Sequence, residues 1–438
     1  MSLDASVAGI YEGAPAGLEV PVAEQQLLHI GEAASGGVVF FGVGDNFWNM
    51  EHAARDLATH HEVYLVEYDK EPDFPIPRQN KFLVANGAED DALHTLLDSG
   101  KVDIGYVGLP PGMHERVTEE HLARIGEGAM KYIVVTKPVV PDIASLKRLD
   151  AAVVAAYARR KETRPDADDP IIYVHEHYIE KGAWRALRES LPEVSDALGR
   201  LRSFTVNIEE SQIIEDEQRG LDAFGDGALG DFAPHAISIA LNAKDAINKS
   251  ERYTITDQST TDVRTFRYED TQLQAGVPTG FIIKGNASII DTHNDSAHDI
   301  EFTWRAGKGL GTEDSKYVTL EFEHPDTGVV SVIHVDLRRN SLHFSEEVPQ
   351  EVRQLFTAMS FTENGYGPIV EQGLNGGHPR NSFQSWEEGR TVTKMMSVFE
   401  RDAKGMTPYG YDRRHNFTLR DLERAAFDQA ALSRRRMA

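Results

Sequence analysis

The sequence predicts an α/β protein, with a doubly wound parallel sheet in its N-terminal part and a large open, mainly antiparallel sheet in a C-terminal α/β domain. Short apolar, β-branched runs alternate with amphipathic stretches over residues 38–175, as in consecutive strand–helix units. Between residues 253 and 337 the hydrophobic period changes to two, which is typical of strands with one covered face. A length of 438 residues leaves room for two such domains.

Composition excludes several classes of protein. Hydrophobic residues make up 40% of the chain, without the run of about 18 apolar residues that a membrane helix needs. The net charge of −25 argues against nucleic acids and anionic membranes as partners. The absence of cysteine excludes disulfides and thiolate chemistry. Because the N-terminus lacks a signal-peptide pattern, we expect a cytoplasmic protein.

The N-terminal part reads as a series of strand–helix units. Strands are predicted at residues 38–42, 63–66, 81–84, 104–107, 132–135 and 171–175, and helices at 47–59, 91–98, 119–128 and 143–158. Because parallel strands need crossover connections, this alternation predicts a Rossmann-type sheet. The aperiodic residues 1–36 are interpreted as an N-terminal arm, and residues 37–165 as the dinucleotide-binding domain.

The charged loop at residues 159–170 predicts the boundary to a second domain. Residues 166–405 form the predicted substrate and dimerisation domain, and residues 406–438 a helical tail. Helices are predicted at residues 181–191, 227–241, 386–399 and 419–434, and strands at 201–209, 300–304, 318–322 and 329–337. We expect a homo-oligomer formed through the open C-terminal sheet.

A glycine turn followed by an acidic strand end predicts a dinucleotide site. Glycines after the first strand let the backbone approach a pyrophosphate, and Glu67 at the end of the second strand suits ribose hydroxyls. A carboxylate there would repel a 2′-phosphate, so NAD is predicted and NADP stays possible. The predicted cofactor contacts are Gly42, Gly44, Asp45, Asn46, Phe47, Glu67, Pro110, His114 and Lys137. Because Phe47 stands where a third glycine is expected, an ordinary tight turn is the alternative.

Two further motifs carry chemistry. Lys137 follows a buried strand, at the edge where open α/β sheets bind ligands, and Pro138 stiffens the turn after it. Asp231 and His235 stand four residues apart on one face of a predicted helix.

Four segments together resemble a known group of enzymes. They are Tyr-Val-Gly-Leu-Pro-Pro at residues 106–111, Val-Thr-Lys-Pro at 135–138, Glu-His-Tyr-Ile-Glu-Lys at 176–181 and Gly-Ala-Leu-Gly-Asp-Phe-Ala-Pro-His at 227–235. Their order and spacing resemble glucose-6-phosphate dehydrogenase, and the Lys-Pro turn and Asp-x-x-x-His helix resemble the wider Gfo/Idh/MocA group. The resemblance covers residues 38–241, and as architecture it continues to about residue 399.

The resemblance implies a role for each matching residue. Lys137 would contact the sugar near the nicotinamide, and His235 would be the general base. Glu176, where the phosphate dehydrogenase has aspartate, would orient that base, and Asp231 is the alternative carboxylate for this role. His177, Tyr178 and Lys181 would hold the substrate, as they hold its phosphate in that enzyme. Thr136 departs from the pattern, which has glutamate before Lys-Pro.

A metal site is the competing interpretation of the same residues. His175 and His177 lie on one strand face, and Asp231 with His235 would complete four ligands. Nicotinamide chemistry needs no metal, however, so no metal is predicted.

The sequence thus predicts an NAD(P)-dependent enzyme that moves a hydride between nicotinamide and a hydroxyl or keto group of a hexose, a hexose phosphate or a cyclitol. One alternative is an NAD-dependent glycosidase, which oxidises its sugar transiently and forms no net NADH. Another is a cofactor-binding regulatory or scaffold protein without turnover.

Overall fold

The computed structural model describes residues 36–42, 54, 57–59, 61–68, 76–84, 91–109, 111–166, 170–210, 228–249, 253–266, 280–291, 296–308, 314–357, 359, 361, 384–404 and 417–418. These residues form two sheets with helices packed on them, which confirms the predicted fold class. None of the helices in this part of the chain is long and apolar enough to cross a membrane.

The first sheet is parallel apart from one edge. Its described strands are β1 (Gly37–Phe41), β2 (Glu62–Glu67), β3 (Lys81–Leu83), β4 (Val102–Val107), β5 (Tyr132–Thr136), β6 (Ile172–His175) and β14 (Gln384–Ser385). They lie in the order β3-β2-β1-β4-β5-β6-β14, and only the pairing of β14 with β6 is antiparallel among them. The order reverses between β1 and β4, which is where doubly wound sheets bind dinucleotides.

Eight described helices pack against the two sheets. They are α1 (Asp91–Asp98), α2 (Pro111–Glu127), α3 (Ile143–Thr163), α4 (Gly182–Glu189), α5 (Leu191–Leu198), α6 (Ala228–Lys249), α7 (Gln350–Thr357) and α8 (Trp386–Lys404). Strands β1 and β5 are apolar and almost entirely buried, as strands covered by helices on both faces must be.

The second sheet is mixed and mainly antiparallel. Its strands are β7 (Arg200–Glu210), β8 (Tyr253–Phe266), β9 (Gly280–Asp291), β10 (Ser296–Lys308), β11 (Ser315–Glu323), β12 (Val330–Asp336), β13 (Ser341–Phe344) and β15 (Phe417–Thr418). They lie in the order β13-β12-β11-β7-β10-β9-β8-β15, with β7 and β10 parallel. Buried and half-buried residues alternate along β11 and β12, so one face packs against helices and the core while the other stays more open.

Helix α8 connects the two sheets. The indole Nε1 of Trp386 donates to Asp150 Oδ1 on α3 at 2.9 Å, and Arg390 forms an ion pair with the same carboxylate at 3.0 Å. Gly389 packs so closely on Val174 of β6 that an added Cβ would lie 2.4 Å from its methyl carbon. Further along, Val392 and Met395 are buried in the core of the second sheet. The helix therefore holds the parallel sheet against the second sheet.

The structure changes several predicted boundaries. Strand β6 pairs with β5 in the parallel sheet, so this sheet continues beyond residue 165. Helix α2 begins at Pro111, between the predicted cofactor contacts Pro110 and His114, because proline suits the first position of a helix. Helix α3 continues five residues beyond 158, and the predicted helix at 181–191 ends at Glu189, where α5 follows. The predicted N-terminal arm and last helix lie outside the described residues.

Candidate active site

A buried carboxylate–imidazole pair forms the centre of the site. Glu176 follows β6 of the parallel sheet, and His235 lies on α6, which packs against the second sheet. The Nδ1 atom of His235 lies 2.6 Å from both carboxylate oxygens of Glu176. Glu176 is fully buried and His235 is 3% exposed. The pair thus joins the end of a strand of the parallel sheet to a helix on the second sheet, and 59 residues separate its members in the sequence.

The hydrogen bonds of Glu176 determine the tautomer of His235. The backbone N–H of Tyr178 also donates to Glu176 Oε1, at 3.0 Å. Since an ionised carboxylate only accepts hydrogen bonds, the imidazole donates its Nδ1–H to Glu176. The lone pair of His235 is then on Nε2, where a base would take a proton.

Aromatic rings surround His235. The Tyr178 and His177 ring centroids lie 4.7 and 4.8 Å from that of His235, both in edge-to-face arrangements. These rings shield the base from water on two sides. Phe232, one turn earlier on α6, is buried near the same imidazole.

Two lysines lie near the pair. Burial and the nearby His235, Lys137 and Lys181 lower the pKa of His177 well below its usual value, although Glu176 acts in the opposite direction. Lys137 and Lys181 therefore lie within electrostatic reach of His177. Lys137 follows β5, and the Lys137–Pro138 peptide bond is cis. The structure thus brings together Lys137, Glu176, His177, Tyr178, Lys181 and His235 from the residues predicted from the sequence.

Asp231, the remaining predicted partner of His235, lies in the first turn of α6. Its side chain is not among the described ones, so its role stays a prediction.

Lys316 belongs to the same cluster and was missed from the sequence. It lies on β11, and its Nζ is 5.6 Å from the centre of the Tyr178 ring. A 2.6 Å ion pair with Glu210, at the end of β7, holds it there. A lysine within an alternating strand reads as a solvated residue, so no local pattern indicates its position.

His114, which the sequence predicts as a cofactor contact, lies against the protein backbone. It lies inside α2, fully buried, with Nδ1 2.9 Å from the carbonyl oxygen of Pro138 and Nε2 against that of Leu109. Burial lowers its pKa to about 4, against the opposing effect of these carbonyls. Both ring nitrogens thus face the protein backbone. His114 supports the Lys137–Pro138 turn, and its contact with the cofactor stays a prediction.

The competing metal interpretation includes His175, which is engaged elsewhere in the structure. His175 is buried, its Nδ1 contacts the Tyr106 hydroxyl, and burial lowers its pKa to about 3. A different group, Glu176, His177 and His235, has ligand atoms within 4.8 Å of one another and could hold a metal ion. However, two ligands on one tetrahedral zinc lie more than about 3 Å apart, which the 2.6 Å contact between Glu176 and His235 does not allow. The geometry favours a hydrogen bond.

The cofactor edge of the parallel sheet is described in part. Gly42 follows β1 with φ +80°, and an added Cβ would lie 2.6 Å from the side chain of Leu109, which follows β4. Only glycine fits this turn without strain. Glu67 ends the neighbouring strand β2, beside that turn. The other predicted contacts, Gly44, Asp45, Asn46, Phe47 and Pro110, lie outside the described residues.

Solved structures share the fold. A levoglucosan dehydrogenase in complex with NADH is 15% identical with a TM-score of 0.55, the match covering 86% of this chain and 98% of that one. An aldose-aldose oxidoreductase from Caulobacter crescentus complexed with glycerol is 14% identical with a TM-score of 0.53, covering 87% and 100%. The WlbA dehydrogenase from Bordetella pertussis, in complex with NADH and UDP-GlcNAcA, is 14% identical with a TM-score of 0.54, covering 85% and 98%.

Sequence comparisons add no closer match. No family model matches the chain, and no curated protein matches it by sequence. At identities near 15% the solved structures show a common fold. The chain shares its two-sheet fold with these solved structures, and a fold of this class is what the resemblance of its motifs implies.

Proposed function

We propose that the protein is an NAD-dependent oxidoreductase that transfers a hydride between nicotinamide and a hydroxyl or keto group of a sugar or cyclitol. The observation that carries the proposal is the buried Glu176–His235 pair, at 2.6 Å, beside a lysine at the edge of a doubly wound sheet. Oxidation of a hydroxyl needs a base for the O–H proton and an acceptor for the hydride. The shared fold with dehydrogenases crystallised with NADH supports the cofactor.

His235 acts as the base in this mechanism. Its Nε2 takes the hydroxyl proton, and Glu176 stabilises the imidazolium that forms, because the pair is closed off from water. Lys137 donates a hydrogen bond to the reacting oxygen and stabilises its developing negative charge. A bound nicotinamide would supply the hydride chemistry, so the residues of the chain orient the substrate and transfer the proton.

In this proposal the cofactor binds at the reversal of strand order. Gly42 and Gly44 allow the backbone to approach the pyrophosphate, and Asp45, Asn46 and Phe47 begin the segment that follows. Glu67 contacts the ribose hydroxyls and disfavours NADP. The proposed substrate contacts are His177, Tyr178 and Lys181, with Asp231 as a second orienting carboxylate for His235. The protein is proposed to work in the cytoplasm as a homo-oligomer formed through the second sheet.

A parallel titration with NADH and NADPH, followed by a substrate screen at 340 nm, tests the proposal. Tight binding of NADH, weak binding of NADPH and net NADH formation with a sugar or cyclitol are expected. A Glu67→Ser variant should lose the discrimination against NADPH. Glycosidase activity without net NADH would replace the proposed reaction, and binding of neither nucleotide would contradict the proposal altogether.

A further inference from the structure

The segment with the proposed substrate contacts leads into a helix that has no cap of its own. His177, Tyr178 and Lys181 lie between β6 and α4, and Lys181 directly precedes the first turn of α4. A lysine side chain has no acceptor for the first N–H groups of a helix, and that of Lys181 makes no capping bond. Because the first turn is buried, its N–H groups need an acceptor from elsewhere in the fold.

Asn340 supplies such an acceptor from the turn between β12 and β13. Its Oδ1 accepts from the backbone N–H of Ala183 in the first turn of α4, at 2.8 Å and across 157 residues of sequence. Its Nδ2 donates to the backbone carbonyl of Phe361 at 2.7 Å. Asn340 is 8% exposed and Ala183 is fully buried, so water has little access to these groups. One carboxamide thus joins three segments that are distant in sequence.

The backbone of Asn340 has an unusual conformation. Its φ is +53°, and among the residues that the structure describes it is the one non-glycine with a positive φ. Asparagine tolerates the left-handed region better than most residues, but the conformation persists only where the surroundings hold it. The two hydrogen bonds of the side chain provide such support.

The remainder of α4 is fixed by separate contacts. Trp184 Nε1 and the guanidinium of Arg188 both donate to Asn242 Oδ1 on α6, at 3.1 and 2.5 Å. Helix α6 also carries His235. Without the carboxamide of Asn340, the body of α4 would therefore stay on α6, while its first turn and the segment before it would loosen.

We propose that Asn340 is a positioning residue of the active site, which caps α4 across the fold and thereby holds Tyr178 and Lys181 where the substrate binds. This inference rests on the proposed function and adds a residue that acts through α4 instead of contacting the substrate. The acid–base pair is held separately, since Glu176 follows β6 and bonds to His235. Asn340 therefore acts on substrate affinity more than on proton transfer.

Two substitutions separate the cap from the bond to Phe361. Asn340→Gly fits a φ of +53° and removes both hydrogen bonds, whereas Asn340→Asp keeps an acceptor for Ala183 and loses the donor to Phe361. An effect common to both variants belongs to the Phe361 bond, and an effect confined to Asn340→Gly belongs to the cap. The control is Asn80→Ala, because Asn80 is 7% exposed and donates to the carbonyl of Val63 at the amino end of β2.

Steady-state kinetics measure the effect on substrate affinity. The substrate is the one that the wild type oxidises fastest among glucose, galactose, mannose, myo-inositol and their monophosphates. Asn340→Gly should raise KM about 10-fold, as expected when a buried donor loses its partner, with kcat within about threefold and NADH affinity unchanged. Asn340→Asp and Asn80→Ala should keep KM within about threefold of the wild type.

Amide hydrogen exchange gives a second readout that needs no turnover. A peptide that contains Ala183 should be protected in the wild type and in Asn340→Asp. In Asn340→Gly the same peptide should exchange about 10-fold faster or more, because its first-turn N–H has lost its acceptor. Peptides from the parallel sheet should exchange equally in all three proteins.

Several results would overturn the inference while the proposed function stands. One is an unchanged KM in Asn340→Gly, and another is a KM that rises equally in Asn340→Asp, which would assign the effect to Phe361. Failure of Asn340→Gly to fold would assign Asn340 to the stability of the whole fold instead of the site. Absence of turnover across the panel would contradict the proposed function, and the exchange of the Ala183 peptide would then decide whether Asn340 caps α4.

Discussion

Replacement of Glu176 by glutamine probes the proposed acid–base pair most sharply. The substitution keeps the size of the side chain and removes its charge. In the structure Oε1 accepts from the Tyr178 N–H, and both oxygens face the His235 Nδ1–H at 2.6 Å. A glutamine has one acceptor and one amino group. Whichever way the amide turns, its amino group meets an N–H donor.

The amide is expected to resolve this conflict at His235. If its oxygen stays with Tyr178, its amino group faces His235 Nδ1, which must then become an acceptor. The imidazole proton moves to Nε2, and the base loses the lone pair that takes the substrate proton. The analogous loss of the orienting carboxylate in serine proteases costs about 10⁴ in turnover. For Glu176→Gln we expect a loss in kcat of about 10²–10⁴, or about 3–5 kcal/mol in activation free energy.

Glu180→Gln is the matched control. Glu180 lies four residues further along the same segment, is 4% exposed and is not part of the proposed mechanism. Burial raises its pKa to about 8, so it is mainly protonated at pH 7 and glutamine imitates its neutral form. Its kcat at pH 7 should stay within about twofold of the wild type. The two variants and the wild type are compared in steady-state assays, and the NADH affinity of each is measured in parallel. Equal kcat in Glu176→Gln and wild type, with intact folding, would refute the assigned role of Glu176.

Three further predictions concern stability, the cofactor turn and metals. Glu180 is protonated in the folded protein up to about pH 8 but ionises near 4.5 when unfolded, so its contribution to stability falls as pH rises between these values. In urea unfolding, the free energy of unfolding of Glu180→Gln should therefore rise relative to that of the wild type by up to about 1.4 kcal/mol per pH unit over this window. A difference in unfolding free energy that does not change with pH would contradict the buried acid. Gly42→Ala should lower the free energy of unfolding by about 1–3 kcal/mol and weaken NADH binding, because φ is +80° and the new methyl group meets Leu109. Unchanged NADH affinity would show that this turn does not contact the cofactor. Dialysis against EDTA or 1,10-phenanthroline should leave turnover unchanged, whereas a loss restored by zinc would support a metal on Glu176, His177 and His235.

The sequence predicts the parallel sheet well because its signals are local. Buried β-branched runs such as β1 and β5 are continuous in sequence, and helix α1 has the predicted bounds. The end of α3 was placed too early because charged residues there resemble a solvated loop. In the structure Arg160 is buried, and its guanidinium contacts the backbone carbonyl of Lys131. Only the tertiary contact explains why the helix continues.

The site was predicted where a motif marks it and missed where the fold alone creates it. Glu176 and His235 each stand in a recognisable segment, although 59 residues separate them. Lys316 acquires its place from Glu210, 106 residues away, and from Tyr178 on another element. The prolines and glycines of residues 108–114 indicate a stiff turn, and this interpretation places His114 at the cofactor. In the structure helix α2 begins at Pro111, and the His114 side chain contacts the backbone carbonyl of Pro138.

The central claim is that His235 is the base of a nicotinamide-dependent oxidation. The direct measurement is substrate-dependent NADH formation at 340 nm by the wild type and by His235→Ala, with NADH affinity determined for both. The account predicts a loss in kcat of about 10²–10⁴ in the variant with NADH affinity unchanged. Unchanged turnover in His235→Ala would contradict it and remove the Glu176–His235 pair from the mechanism.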